Sequence, residues 1–139
     1  MNEKTKPMIL IVDDEPAYRR FLRKVMDTFF NVEIIEAANP KEGFAILKEQ
    51  SPDLIFLDMQ MPIMDGLTML KHLRMVPETN QVPVIACTAL ASIDLLAQLV
   101  KLKIVDYVVK PITVPQLVEK ISMVFAKINL SDVTKRQDK

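Results

Sequence analysis

Five short β-prone runs recur along the chain, and stretches with helical spacing separate them. Leu22, Val25 and Met26, between the first two runs, show the helical spacing. Strands that alternate with helices pair in parallel through helical crossovers, so the pattern predicts a doubly wound α/β fold with five βα units. The runs are MILIV at 8–12, VEIIE at 32–36, LIFLD at 54–58, VPVIAC at 82–87 and DYVVK at 106–110.

Composition fits one domain of this class. The chain has 139 residues, half of them apolar, which is enough for one core. Lys plus Arg equals Asp plus Glu at 18 each, so no net positive field favours nucleic acid or a membrane surface. The single cysteine, Cys87, excludes an internal disulfide. Because no segment resembles a secretory signal or a membrane span, we expect a cytoplasmic protein.

The ends of the chain differ in composition from its centre. Residues 1–7 are polar, and NLSDVTKRQDK from residue 129 is polar as well. We therefore expect an N-terminal extension over 1–7, a folded domain over 8–128 and a mobile C-terminal tail over 129–139.

Polar side chains stand at the ends of four of the five runs. In a doubly wound sheet the ligand site lies beyond the carboxyl ends of the strands, so we expect these side chains to meet at one edge. Crowded carboxylates need a cation, and carboxylate oxygens with water select Mg²⁺. The side chains are Asp13 and Asp14 after the first run, Asp58 at the end of the third, Thr88 after the fourth and Lys110 at the end of the fifth.

This set of groups predicts phosphoryl transfer. A Mg²⁺ ion held by Asp14 and Asp58, with Asp13 bound through water, leaves a coordination position for a phosphoryl oxygen. Lys110 and Thr88 are suited to bind the other phosphoryl oxygens. One carboxylate then acts as the nucleophile, and the protein supplies position and charge.

Each of these residues also has an ordinary structural explanation. The acidic pair before Pro16 suits a helix N-cap, and Asp58 suits a turn. Thr88 could satisfy a backbone group, and Lys110 could lie on the surface. Only their shared position at one sheet edge favours the functional interpretation.

The chain resembles the receiver domains of two-component response regulators over residues 8–127. The resemblance implies a flavodoxin-like five-stranded parallel sheet of order 2-1-3-4-5 and a cis Lys110-Pro111 bond. It implies that Asp58 accepts a phosphoryl group from a sensor histidine kinase or a histidine phosphotransfer protein. The matching segments are VDDEP at 12–16, LDMQMPIMDG at 57–66, CTA at 87–89 and DYVVKP at 106–111.

The resemblance also implies roles for single residues. Asp14 and Asp58 would ligate Mg²⁺ (or Mn²⁺) directly, Asp13 would bind it through water, and the backbone carbonyl of Gln60 would be the third protein ligand. Thr88 and Tyr107 match a switch pair, in which the hydroxyl moves toward the phosphate and the ring turns inward. A receiver catalyses only its own phosphorylation and dephosphorylation, so we do not expect an enzyme acting on other substrates.

The segment from Thr88 to Asp106 holds more apolar residues than one helix face buries. Two stripes appear on a helical wheel: Ala89, Ile93, Leu96 and Val100 form the expected core face, and Leu95, Leu99 and Leu102 form the second. Monomers seldom leave such a surface bare, so we expect a phosphorylation-tuned interface on helix 4, strand 5 and helix 5. Its partner is a second copy or an effector protein, although flanking helices could instead cover the second stripe. The predicted interface residues are Ile93, Leu95, Leu99 and Leu102.

Several positions depart from the receiver pattern or stay open. Receivers place a small residue before the fifth strand where φ is positive, and Lys103-Ile104 stands there instead. Leu90 and Gln60 occupy positions that tune the aspartyl-phosphate lifetime, which we expect not to be short. His72 is expected to be exposed and not a phosphate donor. Arg19, Arg20, Arg23 and Lys24 form either a solvated face or a docking surface for a kinase.

Two other classes share part of this chemistry. Haloacid-dehalogenase-like phosphatases use an aspartate, Mg²⁺, a hydroxyl and a lysine, but their second aspartate follows the nucleophile by two residues, unlike Asp13-Asp14. A flavin-binding protein of this fold would need a hydroxyl-rich loop after the first strand, and none is present there. The domain is expected to be a stand-alone receiver, a relay intermediate or a receiver from a longer chain.

Overall fold

Strands and helices alternate through the whole of residues 6–130, the part of the chain that the structure, a computed structural model, describes. The strands are β1 Met8–Val12, β2 Glu33–Ala37, β3 Leu54–Asp58, β4 Val84–Thr88 and β5 Asp106–Val109. The helices are α1 Pro16–Phe29, α2 Pro40–Glu49, α3 Gly66–Met75, α4 Ile93–Lys101 and α5 Val114–Lys127.

The five strands form one parallel sheet of order β2-β1-β3-β4-β5, which confirms the predicted fold and strand order. The Lys110-Pro111 bond is cis, as the resemblance implied. Most of the predicted extension and tail, residues 1–5 and 131–139, lies outside the described residues, so those domain limits stay predictions. None of the helices in 6–130 has the length and apolar content that a membrane span requires.

The sheet separates two hydrophobic layers. Side chains alternate between the faces of a strand, so Ile9 and Ile11 of β1 join one layer and Leu10 and Val12 the other. Helices α1 and α5 cover the first layer, while α3 and α4 supply buried residues to the second, with α2 packed against it. Burial on both faces explains why β1 and β3 lack polar alternation.

Most helices begin at a side chain that caps them. Asn39, Asp65 and Ser92 each accept a hydrogen bond from a backbone N–H of the first turn of α2, α3 and α4. Thr113 forms a capping box with Gln116 at the start of α5.

The burial of the two apolar stripes of α4 differs from the prediction, although Leu96 of the first stripe is half-buried against the core as expected. Leu99 is fully buried, and Leu95 and Leu102 are half-buried against the sheet, so this stripe belongs to the core. Ile93 and Val100, placed in the core by the wheel, are 84% and 70% exposed. The predicted interface role is therefore wrong for Leu99, which is buried in the core, while Leu95 and Leu102 are partly covered. Ile93, the fourth predicted interface residue, is exposed, and its role stays a prediction.

The end of α4 explains which stripe is buried. The backbone N–H of Ile104 donates to Leu99 O at 3.3 Å, and that of Lys103 donates to Val100 O at 2.9 Å. This is a Schellman motif, and Ile104 packs against the core cluster that contains Leu99. The motif ends the helix with Leu99 buried in this cluster. Periodicity does not contain this information, because both stripes are equally apolar.

Lys103 adopts the left-handed conformation, with φ of 60°. The Schellman motif requires a positive φ at this residue, as the resemblance to receiver domains indicated. Arg74 of α3 supports this turn, because its Nε donates to Leu102 O at 2.8 Å and its Nη2 to Lys103 O at 3.4 Å. The helix thus ends in the usual way, although a lysine occupies the position that favours glycine.

Candidate functional site

Three carboxylates meet where β1 and β3 end. These strands are neighbours, with Val12 opposite Leu57, so the residues that follow lie side by side. One oxygen each from Asp13, Asp14 and Asp58 lies within 4.8 Å of the other two. Asp13 and Asp58 are almost fully buried, and Asp14 is half-buried. The prediction that these carboxylates converge is confirmed.

Lys110 reaches the same cluster from the end of β5. Its backbone N–H donates to Thr88 O at 2.8 Å, which continues the sheet past β5. Its ammonium lies 3.0 Å from Asp13 Oδ2 and 3.4 Å from Asp58 Oδ1, and it also contacts Glu15 Oε1 at 3.4 Å. Three carboxylates therefore contact one ammonium, and Asp14 lies beside two of them, so negative charge is in excess.

The excess charge appears in the protonation of Asp58. Burial raises the pKa of Asp58 to about 6, and the charge of Asp13 adds to this rise, while the Gln60 N–H and the Lys110 ammonium oppose it. Burial alone would lower the pKa of Lys110, but its hydrogen bond and charge contact with Asp13 outweigh burial and raise it. Lys110 is therefore a fixed positive charge in the site.

The donor set fits a hard divalent cation. Three carboxylates with oxygens close enough to share an ion offer the ligands that Mg²⁺ prefers. A divalent cation would also compensate the negative charge that Lys110 leaves. The acidic cluster is thus suited to cation binding on its geometry and its charge.

The loop from β3 to α3 closes tightly over the backbone of Asp58. The backbone N–H of Gln60 donates to Asp58 Oδ1 at 3.2 Å. A Cβ at Gly66 would stand only 2.1 Å from Asp58 O and 2.8 Å from Met59 Cα, so this position requires glycine. The loop returns here through a bond from the Gly66 N–H to Met59 O at 3.2 Å.

Gln60 makes a contact that the sequence did not predict. Its side-chain Oε1 accepts a hydrogen bond from the Ala89 N–H at 3.0 Å, which joins the β3–α3 loop to the β4–α4 loop. The expected role of its backbone carbonyl as a metal ligand stays a prediction. A polar residue two positions after Asp58 was the only available signal for the side-chain contact.

The proposed switch residues lie on neighbouring strands. Thr88 is fully buried, and its hydroxyl donates to Leu90 O at 2.8 Å and accepts from the Leu90 N–H at 3.0 Å. Tyr107 is half-buried, and the Lys120 ammonium lies 4.8 Å from the centroid of its ring. The hydroxyl of Thr88 is thus bonded within its own loop, and the switch roles remain predictions.

Tyr18 belongs to the site although the sequence did not single it out. The Lys110 ammonium lies 4.1 Å from the centroid of the Tyr18 ring, a distance typical of a cation–π contact. Burial raises the pKa of Tyr18, and the neighbouring Cys87 raises it further. Burial likewise raises the pKa of Cys87 to about 12, so this thiol is inert, as expected.

Two of the four cationic side chains that α1 carries bind other groups of the same domain. Arg19 and Arg23 both bind Glu36 of β2, at 2.9 Å and 2.6 Å, and Arg19 also donates to Asp13 O at 2.6 Å. The hydrogen bond from Arg23 is the main cause that lowers the pKa of Glu36. Arg20 and Lys24 are exposed, so only these two of the four cations are left for a docking role. His72 is exposed, as predicted.

Comparison with known proteins agrees with this geometry. Residues 9–122 match the family described as response regulator receiver domain. A probable transcriptional regulator of Porphyra purpurea is 34% identical over 125 residues, 90% of this chain and 50% of that protein. A hybrid signal transduction histidine kinase of Dictyostelium discoideum is 32% identical over 120 residues, 86% of this chain but 8% of that protein.

A solved structure shows the same fold. A CheY-like receiver domain protein from Methanospirillum hungatei superposes with a TM-score of 0.81 at 24% identity, over 91% of this chain and 98% of that one. This likeness supports the fold alone. The chain spans about half the length of the curated transcriptional regulators that it matches.

Proposed function

This chain belongs to the response regulator receiver domain family, and from that premise we propose that Asp58 is the residue that accepts a phosphoryl group. The observation that carries the proposal is the position of Asp58, which shares one sheet edge with two further carboxylates and the Lys110 ammonium. The donor is a phosphohistidine on a sensor histidine kinase or a histidine phosphotransfer protein.

The transfer forms a bond from an Asp58 oxygen to phosphorus, while the bond from phosphorus to the histidine nitrogen breaks. Asp58 must be ionised to attack, and a pKa of about 6 leaves it mostly ionised at neutral pH. Lys110, held against Asp13 at 3.0 Å, is placed to balance charge on the acyl phosphate. Asp13, Asp14, Asp58 and the Gln60 carbonyl would hold Mg²⁺, or Mn²⁺, which when bound neutralises charge on the phosphoryl oxygens.

The response to phosphorylation would start at Thr88. Its hydroxyl would leave Leu90 and bind a phosphoryl oxygen, and Tyr107 would turn inward beside it. The signal would be transmitted through helix α4, strand β5 and helix α5. The apolar contacts of that surface would be Ile93, which is exposed as its predicted interface role requires, together with the exposed Leu90 and Val100. Leu99 is buried, and Leu95 and Leu102 are half-buried.

Phosphorylation by a small donor tests the proposal. The protein incubated with acetyl phosphate and Mg²⁺ should gain the mass of one phosphoryl group, and Asp58→Asn should lose this gain. Asp94→Asn, an exposed carboxylate in the first turn of α4, is the matched control and should keep it. An equal gain in wild type and Asp58→Asn would place the acceptor elsewhere.

No observation favours the phosphatase alternative. A receiver should not turn over a generic phosphate ester, whereas a haloacid-dehalogenase-like enzyme should do so with many turnovers per chain. Turnover of such an ester that depends on Asp13 would overturn the proposal in favour of the phosphatase.

A further inference from the structure

A surface groove runs along α2, outside the acidic site. Its first part, about 580 Å³, lies between α2 and the β3–α3 loop, and a second part of about 560 Å³ continues between α2 and α3. Phe44 and Lys48 line both parts, so the two are adjacent along α2. We call this surface the α2–α3 groove. Its first part is lined mainly by Pro40, Lys41, Phe44, Lys48, Ile63 and Met64.

The groove exposes apolar surface on a rigid support. Ile63 is completely exposed, and Val76 at the far end is 42% exposed. A Cβ at Gly43 would meet Met69 Cε at 2.9 Å and Val12 Cγ2 at 3.4 Å, so α2 sits close against α3 and the sheet. Because α2 is held this closely, the groove cannot collapse to bury its own apolar lining. Such a surface is typical of a protein-binding site.

The charges around the groove have one dominant sign. Lys41 and Lys48 are the only ionisable side chains among the described residues that line its first part. With about 100° between successive helical residues, Glu42 and Glu49 lie about a quarter turn away from this lysine pair. Glu42 also accepts a hydrogen bond from the Ala38 N–H, which holds it at the start of the helix.

The second part of the groove adds one histidine and one carboxylate, His72 and Glu78. A second copy of the chain docked through the same face would bring Lys41 and Lys48 against their own equivalents. Repulsion between like charges disfavours that arrangement, and an acidic partner is favoured.

We propose that the α2–α3 groove binds an amphipathic helix of a partner protein, with its apolar face on Phe44, Ile63 and Met64 and its acidic edge along Lys41 and Lys48. An elongated apolar groove with a charged border is the usual receptor for such a helix. Met64, which is half-buried and unbranched, lets the apolar contact adapt to the partner.

The groove is separate from the α4 surface and shares an element with the acidic site. Ile63 lies in the loop that begins after Asp58 and carries Gln60. A helix seated in the groove therefore touches the same loop that supplies a backbone N–H to Asp58. Binding itself does not depend on phosphorylation of Asp58.

A designed peptide tests the proposal on the full chain. The probe is a fluorescent helical peptide of about 18 residues, with leucines on one face and glutamates on the other. We expect saturable binding in fluorescence anisotropy at low salt. Lys41→Glu with Lys48→Glu should weaken binding about tenfold, and Ile63→Ser should weaken it by a similar factor.

The controls separate this site from general attraction. Lys101→Glu with Lys127→Glu makes the same charge change on exposed positions of α4 and α5 and should leave the affinity within about twofold. Far-UV circular dichroism checks that every variant is folded. The proposal is overturned if the acidic peptide shows no saturable binding, if the control pair weakens it equally, or if a peptide with lysines in place of the glutamates binds as tightly.

Discussion

Asp58 carries its negative charge at a cost to the folded state. Its pKa of about 6 lies above the ordinary value of 3.8, so between these values the folded chain holds a proton that the unfolded chain has released. Stability therefore falls as pH rises from about 4 to about 6, and the full penalty remains above that range. Burial is the larger cause, and the charge of Asp13 adds to it.

Asp58→Asn should therefore stabilise the fold in the absence of divalent cations. At a pH of about 7.5 with a chelator present, we expect the free energy of unfolding to rise by about 1–2 kcal/mol. The pKa shift alone corresponds to about 3 kcal/mol, and screening of the partly buried carboxylate by solvent reduces this value. The gain should shrink at a pH of about 4, where Asp58 is mostly protonated. Urea denaturation at both pH values measures this, and a variant less stable than wild type at the higher pH contradicts the explanation.

Tyr18 has a testable role in positioning Lys110. Its ring, 4.1 Å from the Lys110 ammonium, limits where that charge can lie. Tyr18→Phe keeps the ring, so phosphorylation by acetyl phosphate should stay within about twofold of wild type. Tyr18→Leu should slow it about three- to tenfold, which corresponds to a partly buried cation–π contact. Equal rates in the two variants would show that the ring does not position Lys110.

At the scale of elements, the turn after α4 combines a strained residue with outside support. Lys103 has a φ of 60°, a conformation that costs a residue with a Cβ about 1 kcal/mol. Arg74 donates hydrogen bonds to the consecutive carbonyls of Leu102 and Lys103 in this turn. The strained conformation is that of Lys103, whereas the hydrogen bonds come from Arg74 of α3, two elements earlier in the chain. The turn therefore depends on α3 as well as on its own sequence.

Lys103→Gly should relieve this strain. We expect the free energy of unfolding to rise by at most about 0.5 kcal/mol, since the greater freedom of glycine in the unfolded chain cancels part of the gain. Ala97→Gly, an exposed position within α4, should instead lower it by about 1 kcal/mol. Thermal denaturation should show that Lys103→Gly is more stable than wild type and that Ala97→Gly is less stable. A Lys103→Gly variant that is less stable than wild type would contradict the strain argument.

The helices also show where sequence reasoning succeeds and where it stops. Strand ends are fixed by composition, because a buried parallel strand stops where Asp13 or Asp58 appears, and this placed the acidic site correctly. The rotation of α4 was not accessible, because both of its stripes are apolar and the turn at Lys103 decides between them. The contacts of Tyr18 with Lys110 and of Gln60 with Ala89 join residues far apart in sequence, so spacing does not reveal them.

At the scale of the whole molecule, two of the exposed apolar surfaces in residues 6–130 lie on different elements. One is the α2–α3 groove, and the other comprises Leu90, Ile93 and Val100 at α4. The acidic site lies at the carboxyl edge of the sheet, and the loops that leave this edge lead to both surfaces. Both surfaces therefore lie next to loops that also hold residues of the acidic site, but only the α4 surface is proposed to respond to phosphorylation of Asp58.

The surface at α4 should control phosphorylation-dependent association. With an acyl-phosphate mimic and Mg²⁺, we expect light scattering to show a larger particle at high protein concentration. Ile93→Ser with Val100→Ser should abolish the increase, whereas Met75→Ser, an equally exposed position on α3, should not. A wild-type monomer that stays unchanged with the mimic excludes self-association and leaves an effector protein as the partner of this surface.

If Thr88 is the switch residue that we propose, its two hydrogen bonds would oppose switching in the unphosphorylated domain. Its hydroxyl holds Leu90 through a donated and an accepted hydrogen bond, so turning it away breaks both together. Each hydrogen bond contributes about 1 kcal/mol, so breaking both costs about 2 kcal/mol. Without a phosphoryl group to replace them, the Thr88 hydroxyl would be turned away from Leu90 in only a few per cent of molecules, roughly. Leu90 is 71% exposed, so rotation of the hydroxyl of the fully buried Thr88 would move a side chain on the surface of the protein. Low background signalling and a strong response would then have the same origin, two hydrogen bonds within one loop.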